Sequence, residues 1–300
     1  MRKGKPLASL DAARRSRPSR RALRRATEDT IVGVDAGTLT IVRTISGTGG
    51  LVKMGSGRLV LAGANSYAGG TTLLAGTLEA SSAASLASGS AAGRITVVGG
   101  TLTLPSGAAE TLVVSLLSVD QAKAARLDLG AGRIDITAGG STAAELKADI
   151  LAGRGTGLWS GSSGITSAAV AVAGPGRSIG WLANTDGTLS VGFAANGDTN
   201  IDGAVDILDA ANFVAGNRFD TGIPVDWQDG DFNYDGVLDI LDASEFFATG
   251  LYDTGVYLPV AVSQVAAVPE PIVPWGWSAA VALAALARRR SCPARSSTAA

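Results

Sequence analysis

A turn glycine followed by a short strand of alternating apolar and polar residues recurs along the first two thirds of the chain. The copies are GTLTI (37–41), GRLVL (57–61), GTLEA (76–80), GRITV (93–97), GTLTL (100–104), GRIDI (132–136) and GTLSV (187–191). Alternation sends Leu39 and Ile41, or Leu59 and Leu61, to one face of each strand and the small or polar residues to the other. The first three copies start 20 and 19 residues apart, and such a period with glycine-serine corners is that of one coil of a β-solenoid. A single coil cannot bury its own apolar face. The coils must therefore stack and fold together.

The pattern breaks at Ser141–Gly153. There Thr142 and Glu145 have the spacing of a capping box, and Leu146, Ile150 and Leu151 follow with helical periodicity, which predicts a short helix near 142–152. Beyond it, Trp159, Ile165, Val170, Val172 and Trp181 predict a return to short strands that close the end of the solenoid. The two tryptophans read as core residues, with sugar stacking as the alternative.

A second repeat of different chemistry follows. Residues 198–209 (DTNIDGAVDILD) and 231–242 (DFNYDGVLDILD) carry oxygen side chains at positions 1, 3, 5, 9 and 12, with glycine at position 6 and an apolar residue at position 8. That spacing suits a hard, oxygen-seeking cation, and the glycine allows the turn that wraps the loop around it. The copies stay in register through Ala215 and Ala248, so they are an internal duplication. Between Asp198 and Asp253 thirteen acids face one base, Arg218, a density that needs neutralising cations. Two calcium ions are expected.

Charge is segregated elsewhere too. Ten of the 25 bases lie in residues 1–25, and Arg288, Arg289, Arg290 and Arg295 lie near the other end. Between them, eleven bases and 25 acids give residues 26–287 a net charge of −14, which argues against a nucleic-acid partner. The basic leader, 1–30, lacks the apolar run of a secretory signal and reads as disordered or mis-started. The chain has no histidine and a single cysteine, Cys292. These exclude an internal disulfide, histidine-based acid–base chemistry and the commonest zinc ligand.

Three stretches resemble known families. Residues 46–80 (SGTGGLVKMGSGRLVLAGANSYAGGTTLLAGTLEA) resemble the autotransporter-associated β-strand repeat of exported bacterial passenger proteins, which implies a right-handed β-helix outside the cell. The acidic loops, each followed by one apolar stretch, resemble a type I dockerin. The resemblance implies ligands Asp198, Asn200, Asp202, Asp206 and Asp209 in the first loop and Asp231, Asn233, Asp235, Asp239 and Asp242 in the second. Ala204 and Val237 would add backbone carbonyls. It also implies a cohesin-like or other protein partner, meeting Ile207, Leu208, Ile240 and Leu241, although their apolarity reads as burial. Finally, Val268-Pro269-Glu270-Pro271, an apolar run at 272–287 and Arg288-Arg289-Arg290 resemble a PEP-CTERM sorting signal. Sixteen residues of helix reach only about 24 Å, a transient membrane segment rather than a permanent span. This tail implies export, surface retention and a processing membrane protease.

The expected architecture is thus mainly β: a leader (1–30), a β-solenoid (31–192), a small α-helical dockerin-like calcium module (193–255), a linker (256–267), a sorting helix (268–291) and a tail (292–300). The expected function is a non-enzymatic, adhesin-like surface protein with a docking module. The alternatives are a docking subunit alone, or a hydrolase or lyase acting on extracellular polysaccharide. For the enzyme, Asp128 and Asp135 are the pair near enough in sequence to face one way on successive strands.

Overall fold

The computed structural model describes residues 28–86, 93–105 and 110–257. Residues 1–27 of the leader, the sorting residues Val268, Pro269, Glu270, Pro271, Arg288, Arg289 and Arg290, and the tail lie outside them. The described residues all belong to one compact unit.

The repeated glycine-led segments stack as parallel strands. Thr38–Ile41, Arg58–Leu61, Thr77–Ala80, Thr101–Thr103, Arg126–Asp128 and Gly164–Thr166 make one sheet, in that order from edge to edge. Its register places Leu39, Leu59, Leu78, Leu102, Leu127 and Ile165 in a single ladder. All but Leu39 are fully buried. The chain between these strands supplies a second parallel sheet, Thr30–Gly33, Leu51–Met54, Thr71–Leu73, Arg94–Val97 and Leu116–Val119, so the coils total about four turns of a β-solenoid. GRITV therefore belongs to the second sheet, while GTLTL belongs to the first.

Glycine at the strand entry is dictated by the stacking. Gly100 has φ 82°, and a Cβ there would lie 2.1 Å from the carbonyl oxygen of Gly76 in the coil before. A buried asparagine binds coils at another corner: Asn65 Oδ1 accepts from Ile45 N at 2.8 Å, and its Nδ2 donates to Ser85 O at 2.6 Å.

One interior ladder position is charged. Lys53 stands in register between Val32 and Leu73 and is 0% exposed. Its Nζ donates to Met54 O (3.0 Å), Gly55 O (2.7 Å) and Ala75 O (3.1 Å), which uses all three of its N–H groups. Burial pushes its pKa down, and Asp35 pushes it up by less. Lys53→Ala would leave three carbonyls without that donor and a cavity in the ladder. We expect a loss on the order of 3 kcal/mol, read as a lower urea midpoint with unchanged slope.

The expected helix forms as α1, Ala143–Arg154, with both hydrogen bonds of the Thr142–Glu145 capping box. It covers the edge strand Gly164–Thr166. Residues Ala168–Ala173, expected as strand, form instead the short helix α2, because Ser167 Oγ caps Val170 N and four of its six residues are alanine. An antiparallel hairpin, Arg177–Ala183 with Leu189–Ala195, then joins the strand Arg133–Ile136 and ends the parallel stacking. Trp159 and Trp181 are buried within this end, as core residues. The strand Leu189–Ala195 runs across residue 192 and straight into the first acidic loop.

Candidate metal centre

Each acidic loop leads into one helix, α3 (Ile207–Val214) and α4 (Ile240–Ala248). The two loops repeat each other in backbone and side chain. Position 4 is left-handed in both (Ile201 φ 54°, Tyr234 φ 61°), and so is the glycine at position 6 (Gly203 φ 90°, Gly236 φ 86°). At position 1, Asp198 and Asp231 each accept from the position-6 amide, at 3.0 and 3.1 Å. At position 3, Asn200 and Asn233 accept from the amides of Asp202 and Asp235. At position 5, Asp202 and Asp235 accept from Ala204 N and Val237 N.

Positions 9 and 12 tie loop to helix. Asp206 and Asp239 are the N-caps of α3 and α4, each completing a capping box with Asp209 or Asp242 three residues on. The other carboxylate oxygen of Asp209 accepts from Thr199 N at 2.8 Å, and that of Asp242 from Phe232 N at 3.0 Å. Aspartate rather than glutamate at position 12 thus closes the loop onto itself.

The four carboxylates at positions 1 and 12 are essentially fully buried, whereas Asp202 and Asp235 are exposed at the rim. Among the described residues, Lys147 pairs with Asp226 and Arg218 with Asp229, and neither ion pair includes a loop ligand. Burial is the main cause of every resulting shift. It raises the pKa of Asp198 to about 6 and that of Asp231 to about 7, and pushes Asp209 and Asp242 up as well. Asp231 Oδ1 is buried without a hydrogen-bond partner. Such a group is costly unless a cation completes it.

Among the described residues, no three His, Cys, Asp or Glu side chains are gathered as a ready metal cluster. The carboxylates are turned onto the loops' own amides, as the bonds above show. The donor set nevertheless fits calcium. It is oxygen-only, arranged twice at one spacing, and includes a buried carboxylate oxygen with a free valence. Asp198, Asn200, Asp202, Asp206 and Asp209, with Ala204, would hold one ion. Asp231, Asn233, Asp235, Asp239 and Asp242, with Val237, would hold the other. Calcium would supply charge neutralisation and a rigid loop.

What the sequence does not reveal is how firmly this module is joined to the solenoid. Arg133 Nη1 donates to Ile201 O at 3.0 Å, and Tyr234 Oη donates to Ile179 O. Trp227, wholly buried, lies on Gly180 of the hairpin and donates Nε1 to Asp198 O at 2.8 Å. Tyr257 Oη accepts from Ala195 N and donates to Asp198 Oδ2 at 2.5 Å. The partner-contact residues also differ from expectation. Ile207, Leu208, Ile240 and Leu241 are 67, 59, 69 and 56% exposed, because the inward faces of α3 and α4 are set by Asp209 and Phe213 and by Asp242 and Phe246.

The two aspartates considered for catalysis do not share a sheet. Asp128 ends a strand of the six-stranded sheet and accepts from Gly130 N and Ala168 N, shaping the turn into α2. Asp135 lies in the four-stranded sheet and is engaged by Arg133 and Ser190.

Fold and site thus define a repeat-built β-solenoid ending in a duplicated acidic module. Residues 51–80 match the passenger-associated-transport-repeat family. A stretch of 55 residues is 51% identical to the adhesin BmaC autotransporter of Brucella suis biovar 1 (strain 1330), covering 18% of this chain and 2% of that protein. No solved structure matches the chain.

Proposed function

We propose that this chain is an exported, adhesin-like surface β-solenoid whose end is closed by a two-calcium, dockerin-like module that serves as a docking site. The repeat at 51–80 and the likeness to an autotransporter adhesin support the surface address and the adhesive role. The PEP-CTERM-like residues 268–290 supply retention through a transient membrane segment and a processing protease. Calcium at extracellular concentration would fill even sites of about 0.1–1 mM affinity.

The observation that carries the calcium reading is the pair of matched loops with buried, uncompensated carboxylates, one of them with an unpartnered oxygen. Docking is supported by Ile207–Leu208 and Ile240–Leu241, two equivalent apolar pairs exposed at the starts of α3 and α4. A cohesin-like module is the partner of fitting type.

The test is a calorimetric calcium titration of the full chain, since the loops share a core with the solenoid. Two sites are expected, with Asp202→Ala removing one and Asp235→Ala the other. No heat at millimolar calcium would overturn the reading.

A further inference from the structure

A cleft of about 590 Å³ opens where the end of α1, the turn after it, α2 and the start of the hairpin meet α4. Its volume is that of a small-molecule site. Arg154 and Arg177 line it, and among the described residues neither takes part in an ion pair. Each guanidinium is held over an aromatic ring: Arg154 5.7 Å from the centre of Tyr234, and Arg177 5.1 Å from that of Tyr257. Stacked in this way, a guanidinium is oriented while keeping N–H groups for a planar anion, although one nitrogen of Arg177, Nη1, already donates to Gly176 O at 3.1 Å.

The same cleft holds an unmet acceptor. Asn196 is 8% exposed, and its Oδ1 is buried with no hydrogen-bond partner, while its Nδ2 donates to Glu245 Oε2 at 2.7 Å. A buried acceptor of this kind calls for a donor from a ligand. The remaining wall is mainly apolar, with Leu158, Val170 and Pro175, and also carries Ser160 and Ser178.

We infer that this cleft binds an acidic saccharide unit, with the carboxylate of a uronate on Arg154 and Arg177 and a ring hydroxyl donating to Asn196 Oδ1. The apolar wall takes the C–H face of the ring. Glu245 accepts a second hydroxyl beside Asn196. An acidic peptide fits less well. Gly176 O, just before the strand Arg177–Ala183, already accepts from Asn196 N and from Arg177 Nη1, so it is not open to a peptide amide.

The site differs from the metal loops and from the exposed apolar pairs, and its test is separable from theirs. Methyl β-D-glucuronide and methyl β-D-glucoside, identical but for the carboxylate, are titrated into the full chain by saturation-transfer NMR, with calcium and with chelator. The glucuronide should bind saturably and the glucoside about tenfold more weakly or not at all. Arg154→Gln and Arg177→Gln should each weaken the glucuronide about tenfold, with the circular dichroism spectrum and calcium stoichiometry unchanged. Equal binding of the two sugars, binding of neither, insensitivity to both arginine variants, or a glutamate dipeptide binding as well as the glucuronide would overturn the assignment.

Discussion

Stripped of calcium, the protein should become less stable as the pH rises from about 4 to 7, and calcium should offset about half of that loss. Asp198 and Asp231 have pKa values raised to about 6 and about 7 in the metal-free fold, chiefly because burial disfavours their charged forms. A group that holds its proton more tightly when folded stabilises the fold fully below its unfolded pKa. That contribution is lost as the pH rises through the folded value. Together the two rises amount to on the order of 7 kcal/mol. Calcium replaces the protons. Sites of about 0.1 mM affinity in about 2 mM calcium add roughly 1.8 kcal/mol each, so the melting temperature at pH 7.5 should rise by about 10 °C. At pH 4 protons compete with the ion and the rise should be small. Melting curves across this range, with calcium and with chelator, check the sign directly. A midpoint that neither acid nor calcium raises would remove the metal from the account.

The second large effect should come from Trp227. The side chain is wholly buried, packs edge-on against Phe232 at 5.1 Å between ring centres, and lies against Gly180 so closely that a Cβ there would come within 2.6 Å of its Nε1. Trp227→Ala should cost about 3–5 kcal/mol. Trp227→Phe keeps most of the packing but leaves Asp198 O without its indole donor, at about 1–3 kcal/mol. Because that donor holds the backbone of the first loop, the phenylalanine variant should weaken calcium at the first site more than at the second. Urea midpoints give the first quantity and calorimetry the second. Equal weakening at both sites would mean that Trp227 acts through general packing alone.

The strands that were legible in sequence are those opened by a glycine, since a turn residue and an alternating pair such as Leu59 and Leu61 mark themselves. The second sheet was less visible. Leu51–Met54 buries a lysine where its neighbours in the ladder have Val32 and Leu73, and no alternation rule anticipates an inward charge. The likeness of the two acidic loops was legible because the same residue types recur at one spacing, and the capping of α1 because Thr142 and Glu145 are local. Contacts made across the fold left no local mark: Arg133 on Ile201, Tyr257 on Asp198, Trp227 on Gly180. The exposure of Ile207 and Leu208 runs against their apolarity for a related reason. Hydrophobicity records what a residue could bury, whereas the orientation of α3 is set by Asp209, which faces inward.

Tyr257 stands where the described chain ends, with its amide on Gly203 O and its hydroxyl between Ala195 N and Asp198. Tension applied from beyond this residue reaches the first loop before any coil of the solenoid. The loop is in turn held to the coils by Arg133 and Trp227. A protein pulled from this end would therefore bear load first through its first acidic loop and the hairpin strand beside it, ahead of the stacked coils.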